Sequence, residues 1–500
     1  MKLPALALAT LSLMIHASAR ADAPDVPFAS LAETRPGAVE ANWSPIKLPT
    51  GQRISLLGMS YLAALNGEWG FGPSAYGAAK GNYGGLITFG ATVQRRWRTS
   101  PHTHVAASLY VGAGGGLSSS QVNFGGGLML RPEISLRTEF GEWYAGTSLA
   151  YINFPSGNVH SSSVSFVLGR AMDFQSYAPA DAGRPARSST RTGLGFDEIT
   201  LIGGVYSPRA SSLNRSGQPM EGHMATAGAE LRRYFYPGSW WGVEASGAAR
   251  GGADGYMEGL AVAGQDWGIG GENLRIGGEL GLGLAGGGNV DTGNGWIWRA
   301  GPTLRWQSPW GPSLQLSAGL VDSLSGRFSA KFVRAGLSLP LDLGASSNDV
   351  GVVREQRLGL SVMHLSKVRF KDGTTDAISP LVLLMTHEFS PHVYGVAEAG
   401  SAAWGHAGAY SVGLFGLGAQ SSRVLGGLRF GAEGLVGAAG GGGVDVNGGA
   451  VAQAEAWAQW ETERLRLRAG VGQWRTLRSG GTSSPLVELS LGYAFGVLAR

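Results

Sequence analysis

The sequence contains no cysteine in its 500 residues. Disulfide bonds are therefore excluded, and so is a lipid-modified cysteine as a membrane anchor. Charged residues make up only 15% of the chain, and the formal net charge is +4. A charge this small offers no case for nucleic acid as a partner. Backbone pairing and burial of apolar side chains have to supply the stability.

Long hydrophobic runs are also missing beyond the N-terminal region. No segment after residue 21 contains 18 consecutive apolar residues, although 43% of the residues are hydrophobic and the mean hydropathy is +0.02. A transmembrane helix needs about 20 predominantly apolar residues in a row. The sequence therefore excludes a helical membrane protein.

The first 21 residues predict a secretory signal peptide. Lys2 supplies the positive start, residues 5–15 are apolar, and Ala19-Arg20-Ala21 fits the small-residue cleavage motif. We expect cleavage after Ala21. Residues 22–50 contain five prolines and are predicted to form an extended periplasmic segment.

Glycine is the most over-represented residue, with 83 copies, more than twice the roughly 7% of an average protein. The glycines follow no three-residue period, which excludes collagen. They are interleaved with aromatic and aliphatic residues rather than with serine, glutamine and charge, which argues against disorder.

Apolar residues alternate with small or polar ones along most of the chain, which predicts β-strands that are apolar on one face. A soluble β-sandwich alternates in the same way. The segments, however, mostly run for 9 to 12 residues, near the length that a tilted strand needs to cross a bilayer. Trp and Tyr also cluster near the segment ends, as expected for interfacial girdles. In lipid such a sheet has to close, so we predict an all-β transmembrane antiparallel β-barrel.

The ending Leu489-Ser490-Leu491-Gly492-Tyr493-Ala494-Phe495 resembles the C-terminal assembly signal of porin-like outer-membrane proteins of Gram-negative bacteria. Five further residues follow Phe495, which departs from that pattern. The resemblance implies an outer-membrane location, contact with outer-membrane lipid and lipopolysaccharide (LPS), and insertion by the barrel-assembly machinery. The residues that carry the signal are Leu489, Leu491, Gly492, Tyr493 and Phe495.

Internal repeats divide the predicted barrel, residues 51–500, into three related blocks of about 51–177, 194–344 and 354–497. Glycine triplets recur at 114–116, 286–288 and 440–442, and other short sequence motifs recur along the chain at nearly the same intervals. Blocks of six, eight and eight strands predict a single barrel of about 22 strands, and tandem small barrels are the alternative. The joints at 178–193 and 344–357 are predicted to be flexible loops.

The polar faces of the segments predict a charged lumen. We interpret the chain as a non-enzymatic pore or as an export or surface component, without a cofactor, a metal or an assigned oligomeric state. The predicted lumen-lining residues are Arg275, Glu279, Arg299, Arg305, Glu455, Arg464, Arg466 and Arg468.

One hairpin supports an alternative function. The stretch Val362-Met363-His364-Leu365-Ser366 resembles the His-x-Ser dyad of outer-membrane lipid A deacylases, although Lys367 stands where that family has asparagine. The resemblance implies an esterase in which His364 activates Ser366 and Asp376 orients the histidine.

Overall fold

In the part of the chain that the structure describes, twenty-four long strands form three separate closed barrels of eight antiparallel strands each. The structure is a computed structural model that describes residues 27–65, 67–271, 273–309, 311–342 and 350–499. Within these ranges no helix is long and apolar enough to cross a membrane. The predicted signal peptide lies outside the described residues.

The strands follow one another in simple up-and-down order within each barrel. Barrel 1 consists of β1 (Glu33–Lys47), β2 (Arg53–Ala64), β3 (Trp69–Lys80), β4 (Ile87–Ser100), β5 (Thr103–Gly115), β6 (Leu128–Phe140), β7 (Trp143–Asn153) and β8 (His160–Ser176). A two-residue strand, β9 (Pro185–Ala186), precedes barrel 2, which consists of β10 (Glu198–Pro208), β11 (Met224–Tyr236), β12 (Ser239–Arg250), β13 (Met257–Gly268), β14 (Leu274–Gly286), β15 (Trp296–Gln307), β16 (Ser313–Ser323) and β17 (Ser329–Pro340). Barrel 3 consists of β18 (Gly351–Arg369), β19 (Thr375–Ser390), β20 (Val393–Trp404), β21 (Ser411–Gln420), β22 (Leu428–Gly440), β23 (Ala450–Glu461), β24 (Leu465–Thr476) and β25 (Ser483–Ala499).

The all-β barrel fold is confirmed, but the single barrel of about 22 strands is corrected to the tandem alternative. In each barrel the last strand pairs with the first: Val39 lies opposite Arg170, Leu201 opposite Leu337, and Leu360 opposite Leu491. Each repeat block therefore closes on itself. The alternation of side chains is the same whichever strand closes the sheet, so it does not specify the closing partner.

The first barrel strand lies where the sequence predicted a periplasmic segment. Residues 33–47 of the 22–50 segment form β1, which pairs with both β2 and β8. Pro36 and Pro45 lie near the two ends of this strand, where a missing N–H costs few ladder hydrogen bonds. These prolines obscured the strand. Residues 51–177, predicted to hold six strands, hold the seven strands β2 to β8, and β1 completes the eight of barrel 1.

The outer faces of the barrels are apolar. Leu280, Leu316, Leu489 and Val164 each expose more than half of their surface, which a soluble protein would not repeat along strand after strand. We call the end of the barrels that carries tight connections such as 101–102 and 141–142 the turn end, and the opposite end, with connections such as 116–127, the loop end. Exposed tryptophans ring the turn end, namely Trp69, Trp97, Trp143, Trp241, Trp267, Trp306 and Trp460.

The three barrels contact one another in a cyclic order. The third strand of each barrel lies against the fifth strand of another: β3 against β14, β12 against β22, and β20 against β5. Three head-to-tail contacts of this kind close into a ring with pseudo-threefold symmetry. The chain is therefore built like a trimer whose subunits have been fused.

The joint between barrels 1 and 2 is ordered and connects all three barrels at the turn end, so the prediction of a flexible loop is wrong there. The Thr192 N–H and hydroxyl both donate to Asp342 at the end of barrel 2, at 2.6 Å each, and the Thr192 hydroxyl accepts from the N–H of Leu498 in barrel 3 at 2.9 Å. The neighbouring Gly193 N–H donates to the Gln175 carbonyl of barrel 1 at 2.7 Å. The joint at 344–357 lies partly outside the described residues, and from Gly351 it is strand β18.

Candidate functional site: the barrel lumens

The loop end of each lumen is filled by aromatic side chains. In barrel 1, Phe124 and Phe154 come from the loops and stack edge to face with ring centroids 5.0 Å apart. In barrel 2, the rings of Tyr256 and Phe328 lie 5.9 Å apart. In barrel 3, the rings of Tyr410 and Trp474 lie 6.4 Å apart. All six residues are buried, so aromatic packing closes this end of each barrel.

Buried ion pairs occupy the lumen of barrel 2 below the aromatic cluster. Arg299 contacts Glu244 at 2.5 Å and Glu258 at 3.4 Å, and its side chain is 1% exposed. Arg334 contacts the same Glu244 at 3.1 Å and Glu279 at 3.6 Å. An unpaired charge at this depth would be very costly, so each cation is placed among carboxylates.

The other two lumens contain smaller networks of the same kind. In barrel 1, Arg137 forms an ion pair with Glu40, which also accepts from the Tyr144 hydroxyl at 2.6 Å. In barrel 3, Arg468 contacts Glu433 at 2.5 Å and Glu455 at 3.1 Å. Eight-stranded barrels are just wide enough for side chains to fill. In barrel 2, the gap beside Arg232 and Gln315 is too narrow to admit a water-sized sphere.

The structure places most of the predicted lumen residues inside the barrels. Those that are buried there are Glu279, Arg299, Arg305, Glu455, Arg466 and Arg468. Arg275 lies instead at the turn end of β14, where its guanidinium donates to the Asp266 carbonyl at 3.1 Å. Arg464 lies in the turn before β24 and contacts Glu33 of barrel 1 at 2.9 Å. The aromatic clusters were missed because Phe124 and Phe154 lie in loops, outside the strand alternation.

Glycines line the contacts between the barrels at the loop end. A Cβ atom added to Gly440 of barrel 3 would lie 2.2 Å from the Gly255 nitrogen of barrel 2, and one added to Gly286 of barrel 2 would lie 2.4 Å from the Gly85 nitrogen of barrel 1. The third contact has the same form, since a Cβ atom on Gly115 would lie 2.9 Å from the Ala409 nitrogen. Small residues allow backbones in a membrane to approach this closely.

A half-buried cation supports the contact between barrels 1 and 2. The Arg215 guanidinium, in the loop between β10 and β11, donates to the Gly84 carbonyl of barrel 1. The Trp296 indole N–H donates to the Ala79 carbonyl at 2.8 Å. Burial lowers the pKa of Arg215 from its usual value, and the Asp291 carboxylate opposes this shift.

The apolar outer belt, the filled lumens and the closed edges together decide the class. The protein is a three-barrel membrane protein of the outer-membrane type. No family model and no curated protein matches the sequence. Among the described residues, no group of three or more His, Asp or Glu side chains has the arrangement of a metal site.

Solved structures that align with the chain are outer-membrane proteins of Pseudomonas aeruginosa. OccK2 (OpdF), solved in complex with glucuronate, is 11% identical, with 93% of this chain and 99% of that chain covered and a TM-score of 0.24. OccK8 (OprE) is 9% identical, with 93% and 99% covered and a TM-score of 0.21. The ferric enterobactin receptor PfeA is 10% identical, with 94% and 82% covered and a TM-score of 0.26. Identities and scores this low assign no substrate and no partner.

The structure does not join the three residues of the predicted esterase site. His364 and Ser366 both face outward on β18, but His364 Nδ1 lies 3.0 Å from the Ser379 hydroxyl of β19. Asp376 contacts His406 Nδ1 at 2.8 Å. The serine that contacts His364 is thus Ser379, which lies 15 residues further along the chain on the neighbouring strand. A search for His-x-Ser spacing does not detect a pair this far apart.

The C-terminal strand is divided between lipid and protein contacts. Leu489 and Leu491 face outward and are more than half exposed. By the two-residue period of a strand, Phe495 would share this face. It is buried instead, because its ring packs edge to face on Phe174 of barrel 1 with centroids 5.1 Å apart. The final aromatic of the predicted assembly signal is therefore part of the contact between barrels 1 and 3.

Proposed function

We propose that the protein is a non-enzymatic surface component of the outer membrane and that none of its barrels conducts solutes. The observation that carries this proposal is the filling of every lumen, by aromatic side chains at the loop end and by buried ion pairs below them. Wide porins leave an aqueous channel, whereas the interior of an eight-stranded barrel is narrow enough for side chains to fill. The proposal thus favours a surface component over the pore reading of the sequence.

The space between the barrels gives no support to a channel either. At the turn end, Phe174 of barrel 1 and Phe495 and Val497 of barrel 3 form one buried cluster with Leu194 of the joint packed against it. At the loop end, the backbones of neighbouring barrels lie so close together that a Cβ atom added to a glycine of one barrel would clash with the backbone of the other. Apolar packing of this kind excludes water and ions.

Bilayer recordings test the absence of a channel. We expect the purified chain, inserted into planar bilayers, to show no steady current above the baseline, because a hydrated ion would have to cross both the aromatic layer and the ion-pair network. A general porin inserted under the same conditions provides the control for insertion. Stable, voltage-independent current steps that scale with the amount of protein would contradict the proposal.

The orientation follows from the lengths of the connections. Outer-membrane barrels have short periplasmic turns and longer extracellular loops, so we assign the turn end, with the start of β1 and the end of β25, to the periplasm and the loop end to the cell surface. The exposed Leu489 and Leu491 of the last strand support insertion by the barrel-assembly machinery. The apolar belt faces the lipids of the membrane, with LPS in the outer leaflet.

Replacement of the serines tests the esterase alternative. We expect lipid A from cells that carry Ser366→Ala, Ser379→Ala or both to have the same mass spectrum as lipid A from wild-type cells, because no carboxylate among the described residues contacts His364 to orient it. Expression of the wild-type chain in a strain without it provides the comparison. Loss of acyl chains that depends on either serine would establish the esterase and refute the non-enzymatic assignment.

A further inference from the structure

A cationic cluster lies on the outer wall of barrel 1 at the loop end. Lys47 at the end of β1 and Arg53 at the start of β2 are direct cross-strand partners. Lys80 at the end of β3 pairs with Ser55, two residues along β2 from Arg53. All three side chains are exposed, and Lys47 and Arg53 lie on the outward face of their strands. Like charges directly opposite each other destabilise a sheet unless something neutralises them.

No carboxylate of the described residues forms an ion pair with any of the three. Five of the seven acidic residues of barrel 1 lie at the turn end, and the other two, Glu40 and Glu133, are buried in the lumen. At the turn end the opposite holds, since Arg95 contacts Glu68 at 2.8 Å and Arg170 contacts Glu142 at 2.7 Å. The cations at the loop end are thus available to an anion from outside the chain.

An apolar depression begins beside this cluster. Its volume is about 670 Å³, and its outward lining includes Ile134, Leu149, Tyr151 and Val164 on β6 to β8. Ser162 also lines it, and the adjacent Ser161 hydroxyl accepts a hydrogen bond from the Lys47 N–H at 3.1 Å. Cationic side chains at the membrane surface therefore adjoin an apolar wall within the bilayer.

We propose that this surface binds a phosphorylated, acylated lipid of the outer leaflet. Lys47, Arg53 and Lys80 contact its phosphate groups, because guanidinium and ammonium groups are the usual ligands of phosphate in proteins. One acyl chain lies along the depression. The orientation on which this rests is the one given under the proposed function, with the loop end at the cell surface.

Native mass spectrometry of the full chain with added lipid A tests the site. We expect the wild type to retain bis-phosphorylated lipid A, and K47Q/R53Q/K80Q to bind it roughly a hundredfold more weakly, at about fivefold per cation removed. The matched control is R95Q/R98Q/R170Q, which removes three arginines from the turn end of the same barrel and is expected to bind as the wild type does. We expect that neither the wild type nor either triple variant retains lipid A that lacks phosphate groups.

Two results would overturn the proposal. One is equal retention of lipid A by K47Q/R53Q/K80Q and the wild type. The other is displacement of lipid A by inorganic phosphate at equal concentration, which would make the ligand a free anion. Heat-modifiable migration in gels checks that each variant is folded. Bilayer conductance is measured separately, so failure of this site and failure of the non-conducting assignment remain distinguishable.

Discussion

Replacement of Arg299 by methionine is expected to lower the free energy of unfolding by about 3–5 kcal/mol. The change keeps most of the side-chain volume but leaves Glu244, Glu258 and Glu279 in the lumen with fewer cations. Glu244 loses two hydrogen bonds to Arg299, at 2.5 and 2.8 Å. Urea titration of the protein folded in lipid vesicles, followed by tryptophan fluorescence, measures the loss.

Two further variants separate the buried charge from a general effect of mutation. Glu244→Gln in the Arg299→Met background removes the carboxylate that has lost one of its two cationic partners and retains only Arg334, and we expect it to recover part of the loss. Arg95→Met breaks the exposed pair with Glu68 at the turn end, and a surface ion pair contributes only about 0–1 kcal/mol. If Arg299→Met unfolded at the same urea concentration as Arg95→Met, the lumen network would not stabilise the barrel.

The sequence predicted the faces of the strands better than it predicted their partners. Arg299, Arg466 and Arg468 were assigned to the lumen from alternation alone, and all three are buried there. Alternation is a local property, set by the two-residue period of a strand. Closure of β8 onto β1 places Arg170 opposite Val39, more than a hundred residues away in the chain. The alternation within a strand contains no information about which strand is its partner.

The contacts between barrels were hidden for a related reason. Phe495 belongs by its period to the lipid-facing side of β25, yet barrel 1 covers it through Phe174. Thr192 lies in a stretch rich in proline, arginine and serine that favours a loop, and its order comes from Asp342 and Leu498. In each case a residue from another barrel determines the environment, so the residue's own sequence neighbours are not sufficient.

The glycine triplets were recognised in the sequence as repeat markers, and the structure gives them a physical role. Gly286 and Gly440 lie in corresponding triplets, and each lies against the backbone of another barrel near Gly85 and Gly255 respectively. A residue with a side chain at these positions would push the two barrels apart. The repeat therefore preserves the same contact around the pseudo-threefold axis.

Substitution of Gly440 by alanine is expected to separate barrels 2 and 3 at the loop end. The added Cβ would lie 2.2 Å from the Gly255 nitrogen and 2.9 Å from its Cα, so backbone has to move, at a cost of about 1–3 kcal/mol. Gly434→Ala on the same strand is the matched control, because nothing lies within 4 Å of its Cβ position.

The absence of native cysteine allows the separation to be measured directly. Asp254 of barrel 2 and Lys371 of barrel 3 form an ion pair at 3.7 Å next to this contact, and cysteines at both positions can be joined by a short bis-maleimide. Cross-linking is expected to be efficient in the parent and in Gly434→Ala, and several-fold slower in Gly440→Ala. Equal rates in all three would mean that the close approach of Gly440 to Gly255 does not hold the two barrels together.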